Sequence, residues 1–436
     1  MSGQTIATTS NHFTPDNAVW LLTSAMVIIT MQSGFGLLES GFVSKKNEIN
    51  IMIKNVVDIT LGGIMFWAFG YGLGFGQSEY ANEFIGFGDF FFDVDTSPSD
   101  GWKSANYFFQ LTFSTTATTI VSGALAERCR FRAYCLFALM NTLIYSVPAH
   151  WIFADSGWLK RLGAVDFAGA GPVHLLGGTT ALVGSWMLKP RLNRDIDPSS
   201  LVNSVLGLFL LAWGWLGFNC GSSFGVSGDK WILVARAASS TLNAAMGGNL
   251  GGLMYCITIR KKYEVFTLVN TIVAALVAIT PCCAFVTNWA SVLIGFIAGL
   301  VSISVDRLLP TAIDDPIGCV SSHGAASVWG LIATALFVNV QVNGNELGLL
   351  YSGDFHLLGI QCIEIISVST WAAVTSFLSF KLIDGLVGLR LSEEEEVIGC
   401  DYLEHLGHRD QVSPRILHSP GRDVGNVEIN TAVIRV

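Results

Sequence analysis

The sequence predicts an all-α membrane protein with eleven transmembrane helices, and three observations point there. Apolar runs of about 18 residues or more recur along most of the 436-residue chain, each long enough to cross a hydrocarbon core of roughly 30 Å as a helix. Charged residues make up only 13% of the chain, against about 25% in ordinary soluble domains. An acidic passage containing Gly and Pro and ending in a histidine occurs twice, at 166–174 and again at 315–323.

Taken in order, the spans are expected near 18–43, 51–74, 105–126, 132–153, 171–188, 201–222, 231–258, 264–284, 288–305, 318–340 and 357–389. Residues 1–17 are polar and lack the basic start and cleavage site of a signal peptide, so the first span is expected to act as its own insertion signal. Lys and Arg collect in short cytoplasmic loops. Here they follow the odd-numbered spans: Lys45 and Lys46, then Arg128, Arg130 and Arg132, then Lys189, Arg191 and Arg194, then Arg260, Lys261 and Lys262, then Arg307. With the arginines of the tail that side holds 17 of the 24 basic residues, which puts the N-terminus outside and the C-terminus inside. The net charge of −9 comes largely from the tail, 390–436, and from the loop 75–104, which is either a solvated linker or a source of negative field at an outer mouth. The nine cysteines follow no metal-ligand spacing and no disulfide is assigned.

The duplicated passage organises the rest. Asp166 precedes His174 by eight residues, as Asp315 precedes His323, and small residues follow each histidine: Gly177 and Gly178, then Ala326 and Ser327. The passages open the fifth and tenth spans. Five is odd, so two five-span halves, about 18–188 and 201–340, must cross in opposite senses, followed by a long eleventh helix. Transporters built from inverted repeats place the substrate path between the halves, near the midplane. Each Asp suits a cap on the Gly-rich turn that starts the span, and Pro172 fits an early helical position. For Asp166 two compatible readings stand: a cap alone, or a cap whose negative field also steadies a cation above it.

A histidine within a span is expensive and normally faces a cavity or a partner. A two-fold relation between the halves brings His174 and His323 together, where two neutral imidazoles sharing one proton leave one donor and one acceptor for a small polar guest. Two imidazoles with no thiolate at ligand spacing do not make a structural zinc site, so no metal and no cofactor are expected. His150 reads as interfacial packing. Phe218 and Ser222 are four apart, on one helical face, with Asn219 beside them, and that face is expected to line a path. Lys54 and Asp58, also four apart, read as a neutralising structural pair or as a relay.

The passages GFGLLESG (34–41), GALAERCRF (123–131), DFAGAGPVHLLGG (166–178), GWLGFNCGS (214–222) and DDPIGCVSSHG (314–324), with the acidic SEEEEVIGCD start of the tail, together resemble the ammonium transporter family, the Amt/Mep/Rh proteins, over about 18–405. The resemblance implies a homotrimer in the plasma membrane, a hydrophobic pore through each subunit, an outer recruitment site, a gate of two stacked phenylalanines and twin histidines in the lumen. By motif, the gate resembles Phe113 and Phe218, the recruitment site Ser222, Phe153 and Phe113, and the pore histidines His174 and His323, with Asp166 and Asp315 as structural and electrostatic residues. Ser222 favours the Amt/Mep branch. Phe153 departs from the Trp usual in that branch, Gly318 stands where many relatives carry an acid, and EHLGH replaces an EHGE pattern in the tail.

The function this implies is transport of ammonium, ammonia and methylammonium across a lipid bilayer, with the cation deprotonated before it enters the lumen. The rivals are an Rh-like channel for ammonia or carbon dioxide and an ammonium sensor signalling through its tail. A tail-binding regulator or kinase is a further partner, at Ser413-Pro and Ser419-Pro; no nucleic acid is expected, and no constellation for an enzyme is present.

Overall fold

A computed structural model describes residues 4–6, 14–194, 197–342 and 346–406. A helix falls in each region where a span is expected, several of them shorter than expected: α1 (Pro15–Phe42), α2 (Lys45–Phe75), α3 (Pro98–Ala124), α4 (Phe131–Phe153), α5 (170–188), α6 (Leu201–Gly221), α7 (Lys230–Tyr255), α8 (Val265–Ile279), α9 (Asn288–Leu308), α10 (Val320–Phe337) and α11 (His356–Val387). Among the described residues, seven helices are long and apolar enough to cross a membrane: α1, α2, α4 with its continuation to Leu162, α6, α9, α10 and α11. The others are shorter or carry more polar and small residues. In α3 the hydroxyls of Thr112, Thr116 and Thr118 return to backbone carbonyls three or four residues earlier, which satisfies them without leaving the helix.

The boundaries differ from expectation where capping decides them. α1 begins at Pro15, capped by Thr14, whose hydroxyl accepts from the Asn17 N–H. α3 starts at Pro98, well before 105, because Ser97 and Asp100 form a reciprocal capping box. β1 (Gln4–Ile6) lies parallel to β2 (Val340–Val342), tying the start of the chain to the loop after α10.

Helices at corresponding places of the two expected halves touch. α1 packs along α6, and α5 crosses α10. The first contact is close because Gly207 faces the α1 backbone: a Cβ there would lie 2.3 Å from Leu38 N. The second is closer, with a Cβ at Gly178 placed 2.2 Å from Gly324 N. Backbones in lipid-embedded bundles approach this way at small residues. The crossing therefore rests on Gly178 and Gly324.

One end of the bundle gathers the basic loops. Arg191 there bonds both Glu127 and Asp314, all three side chains nearly closed from water. The start of the tail docks on this end. Its short helix α12 (Glu393–Ile398) is capped by Ser392 and Glu395, Arg390 pairs with Glu396 at 2.7 Å and Arg130 with Glu395 at 2.8 Å, and Asp401 accepts from the N–H groups of Ile49 and Asn50. The acidic run thus has specific partners. Ser413 and Ser419 lie outside the described residues.

Candidate functional site

The two duplicated passages fold alike. Asp166 accepts from Gly169, Ala170 and Gly171 at 2.7–3.0 Å, and Asp315 from Gly318 and Val320 at 3.1 and 2.7 Å. The third residue after each Asp is a left-handed glycine, Gly169 with φ 81° and Gly318 with φ 82°. Only such a residue turns the chain back so that consecutive N–H groups converge on one carboxylate. This is a conformational reason for Gly318. Both turns lead into wide, π-wound first turns, 170–175 and 320–325, which carry the histidines inward.

His174 and His323 meet Nδ1 to Nδ1 at 3.2 Å, their ring centres 5.3 Å apart, and both rings are buried. One proton between these nitrogens makes one ring the donor and the other the acceptor. The outer nitrogens then take opposite roles, and His174 Nε2 has no partner among the described residues. The surroundings are aromatic. Trp215 stacks on His174 at 5.0 Å and 14°, and Phe35 lies 5.9 Å from His323. Trp215 is held by a bond from its Nε1 to Thr280 Oγ1 at 3.0 Å. Neither Trp215 nor Phe35 was singled out from the sequence, although Trp215 sits three residues before Phe218 and so on its helical face.

Above the pair, Phe113 and Phe218 stack face to face at 3.9 Å and 14°, and Phe218 also approaches His174 at 5.5 Å. Phe153 and Phe113 meet in a T-shaped pair at 5.8 Å and 84°. Its ring rests on the Asp166 turn, since a Cβ at Gly169 would meet Phe153 Cζ at 2.4 Å. Ser222 lies one turn beyond Phe218 and donates its hydroxyl to the Phe218 carbonyl at 2.9 Å. That commits its proton to the backbone and leaves the oxygen as an acceptor. Below the pair, a cavity of about 10 Å³ is lined by Phe35, Leu38, Glu39, Ser322 and His323. It is the size of a single water. Glu39 accepts from Ser122 at 2.7 Å and from Asn55 at 3.0 Å.

Several residues take other places than expected. Asn219 turns away from Phe218 and donates to Thr241 on α7 at 2.9 Å, so it does not join Ser222 on one face. Lys54 and Asp58 form no direct ion pair: Lys54 Nζ lies 5.3 Å from the centre of the Tyr134 ring, while Asp58 accepts from the Tyr134 hydroxyl at 2.9 Å. The aromatic ring between them offers both a π face and a hydroxyl donor, and it wins over a bare contact along α2. His150 is buried packing, bridging Gly74 O and Asn82 O at 2.8 Å each. Trp151 sends its Nε1 to Phe84 O at 2.8 Å, into the loop 75–104, and does not stand in for the absent Trp at 153. In that loop Asp89 pairs with Lys103 at 3.5 Å and Asp100 serves the α3 cap, so part of its charge is structural.

Comparison with known proteins follows the same geometry. Residues 19–410 match the Ammonium Transporter Family. A Caenorhabditis elegans protein, provisionally named ammonium transporter 3, is 42% identical over 425 residues, which cover 93% of this chain and 62% of that protein. The chain thus spans less than two thirds of that relative's length. A solved structure titled Sensor Amt Protein superposes with a TM-score of 0.81 at 31% identity, covering 89% of this chain and 98% of that one. Candida albicans Mep2 gives 0.79 at 26%, covering 91% and 92%.

Proposed function

The chain belongs to the ammonium transporter family, a family of transporters, and on that premise we propose that it moves ammonium across a lipid bilayer as ammonia. The observation that carries this reading is the His174–His323 pair: two buried imidazoles whose Nδ1 atoms lie 3.2 Å apart, with aromatic walls above and a water-sized cavity below.

Ammonium and potassium are alike in size and charge, so selection must use the N–H bonds. The Ser222 oxygen accepts one, and the faces of Phe153 and Phe113 attract the cation. Asp166, beneath the turn that supports Phe153, supplies negative field. A bare cation entering the apolar lumen faces a penalty of several kcal/mol or more. Loss of a proton to water at the mouth, which leaves neutral ammonia, removes most of it. Ammonia then slips past Phe113 and Phe218 when the stack opens and exchanges hydrogen bonds with the outer nitrogens of His174 and His323, one acting as acceptor and one as donor. Asp166 and Asp315 fix the two turns that carry these rings, and the inner cavity receives the molecule before it is protonated again.

The topology proposed with this mechanism is eleven crossings in two inverted halves, N-terminus outside, with the basic loops and docked tail in the cytoplasm. Three subunits, each with its own pore, in the plasma membrane complete the proposal. Its test is expression in cells lacking ammonium uptake, with labelled methylammonium entry and membrane current read together. Entry above empty cells is expected. Surface-expressed protein with no entry would overturn transport and leave the sensor reading.

A further inference from the structure

The outer mouth contains a buried acid that the mechanism above does not use. Gln361 on α11 donates to Val165 O and accepts from Val165 N–H, both at 3.0 Å, which pins this helix against the start of the Asp166 turn. That register brings Glu364, three residues on, to the same turn. A Cβ added at Gly171 would lie 2.6 Å from Glu364 Oε1 and 3.2 Å from Asp166 Oδ2, so the two carboxyl groups close on one point. Glu364 is fully buried, and neither of its oxygens receives a donor from any described residue. Asp166 is in the opposite condition, with three backbone N–H groups on its oxygens. The titratable groups facing Asp166 from the turn after α8 are the thiols of Cys282 and Cys283, and they bring no positive charge.

Two ionised carboxylates this close, away from water, repel each other and each loses its hydration. One proton between them removes both costs. It belongs on Glu364, because three backbone N–H groups stabilise the charged form of Asp166, whereas Glu364 has only the nearby Gln361 side chain to favour its charged form. We propose that Glu364 is a positioning residue that keeps its proton and donates it to Asp166 Oδ2, so that the pair holds one negative charge beneath the outer mouth.

The consequence for transport rests on the ammonium reading above. A fourth donor locks the Asp166 carboxylate against its turn, and the turn seats Phe153 through Gly169. A single charge attracts a cation; two would hold it and oppose its release.

Infrared spectra of the full chain in phosphatidylcholine vesicles test the proton directly. At neutral pH a carbonyl band of a protonated carboxylic acid is expected, and Glu364→Gln should delete it. An unchanged carboxylic-acid band, with loss of carboxylate signal instead, would mean Glu364 is ionised and would overturn the proposal. In methylammonium uptake, Glu364→Ala is expected to raise the half-saturating concentration about tenfold, and Glu364→Gln, which keeps an N–H donor, to recover most of that loss. Gln as damaging as Ala, in protein that reaches the surface, would also overturn it. If the unaltered chain carries no methylammonium, the failure falls on the transport reading, and the infrared result alone supports or overturns the proton on Glu364.

Discussion

At the scale of single residues, the site divides into groups that meet the cation and groups that meet the neutral molecule. Removing either imidazole leaves its partner without a sharer for the proton and opens the lumen. His174→Ala and His323→Ala are each expected to lower methylammonium flux about tenfold or to change the ratio of current to uptake. Uptake and current both unaltered in both variants would remove the role given to the rings. At the mouth, Ser222→Ala deletes an acceptor and should raise the half-saturating concentration about two- to tenfold. Phe153→Trp works the other way. A larger π face above the same turn is expected to lower that concentration about two- to fivefold, read from the concentration dependence of uptake. Trp215 shows what pattern reading left out: a tryptophan in an apolar helix looks like packing until the fold sets it flat against His174. Glu364 is another such case, since nothing near it in sequence shows that Asp166 will be its neighbour.

At the scale of elements, the α5–α10 crossing governs the distance between the histidines. Each ring is carried on the first turns of a helix whose start is fixed by an Asp cap and a left-handed glycine, and the helices then touch at Gly178 and Gly324. Gly178→Ala would put a methyl group into the Gly324 backbone, and overpacking of this kind costs about 1–3 kcal/mol. The expected result is a lower unfolding temperature in detergent together with reduced flux. A variant as stable and active as the parent would mean the crossing has slack. Span positions were legible because the hydrophobic runs are long; helix starts were less so, since α3 begins where Ser97 and Asp100 cap it and not where the apolar run begins. The twin Asp-to-His spacing was legible too. The wide helical turns that follow were not, because their geometry depends on which neighbours hold the helices apart.

At the scale of the whole molecule, the basic end is held together by charge. Burial alone would push the Asp314 carboxyl up, but the hydrogen bonds and charge of Arg191 outweigh it and hold Asp314 below its ordinary value of 3.8. The sign follows: an acid depressed in the folded state contributes stability that is fully present above that ordinary value and is lost as pH falls through the lower folded one. The Arg191–Asp314 contact should therefore be intact at neutral and mildly acidic pH and fail only in strong acid. Breaking a buried pair by removing one partner costs about 3–5 kcal/mol. Arg191→Ala is expected to lower the unfolding temperature at neutral pH and to start acid unfolding at a higher pH than in the parent. Equal acid onsets in the two would sink this assignment.

The sequence by itself determined that this chain is a multi-pass helical membrane protein, that its basic residues collect in alternate loops, and that an acid-to-histidine passage occurs twice. Those properties follow from run length, composition and spacing, which are local and survive without a fold. Only the tertiary structure decided that the imidazoles meet through Nδ1, that Asn219 faces α7, that Tyr134 stands between Lys54 and Asp58, and that Glu364 lies against Asp166. Each of these depends on groups far apart in the chain, or on which way a side chain turns. The register of one helix against another settles it, and a difference of one residue along a helix rotates a side chain by about 100°.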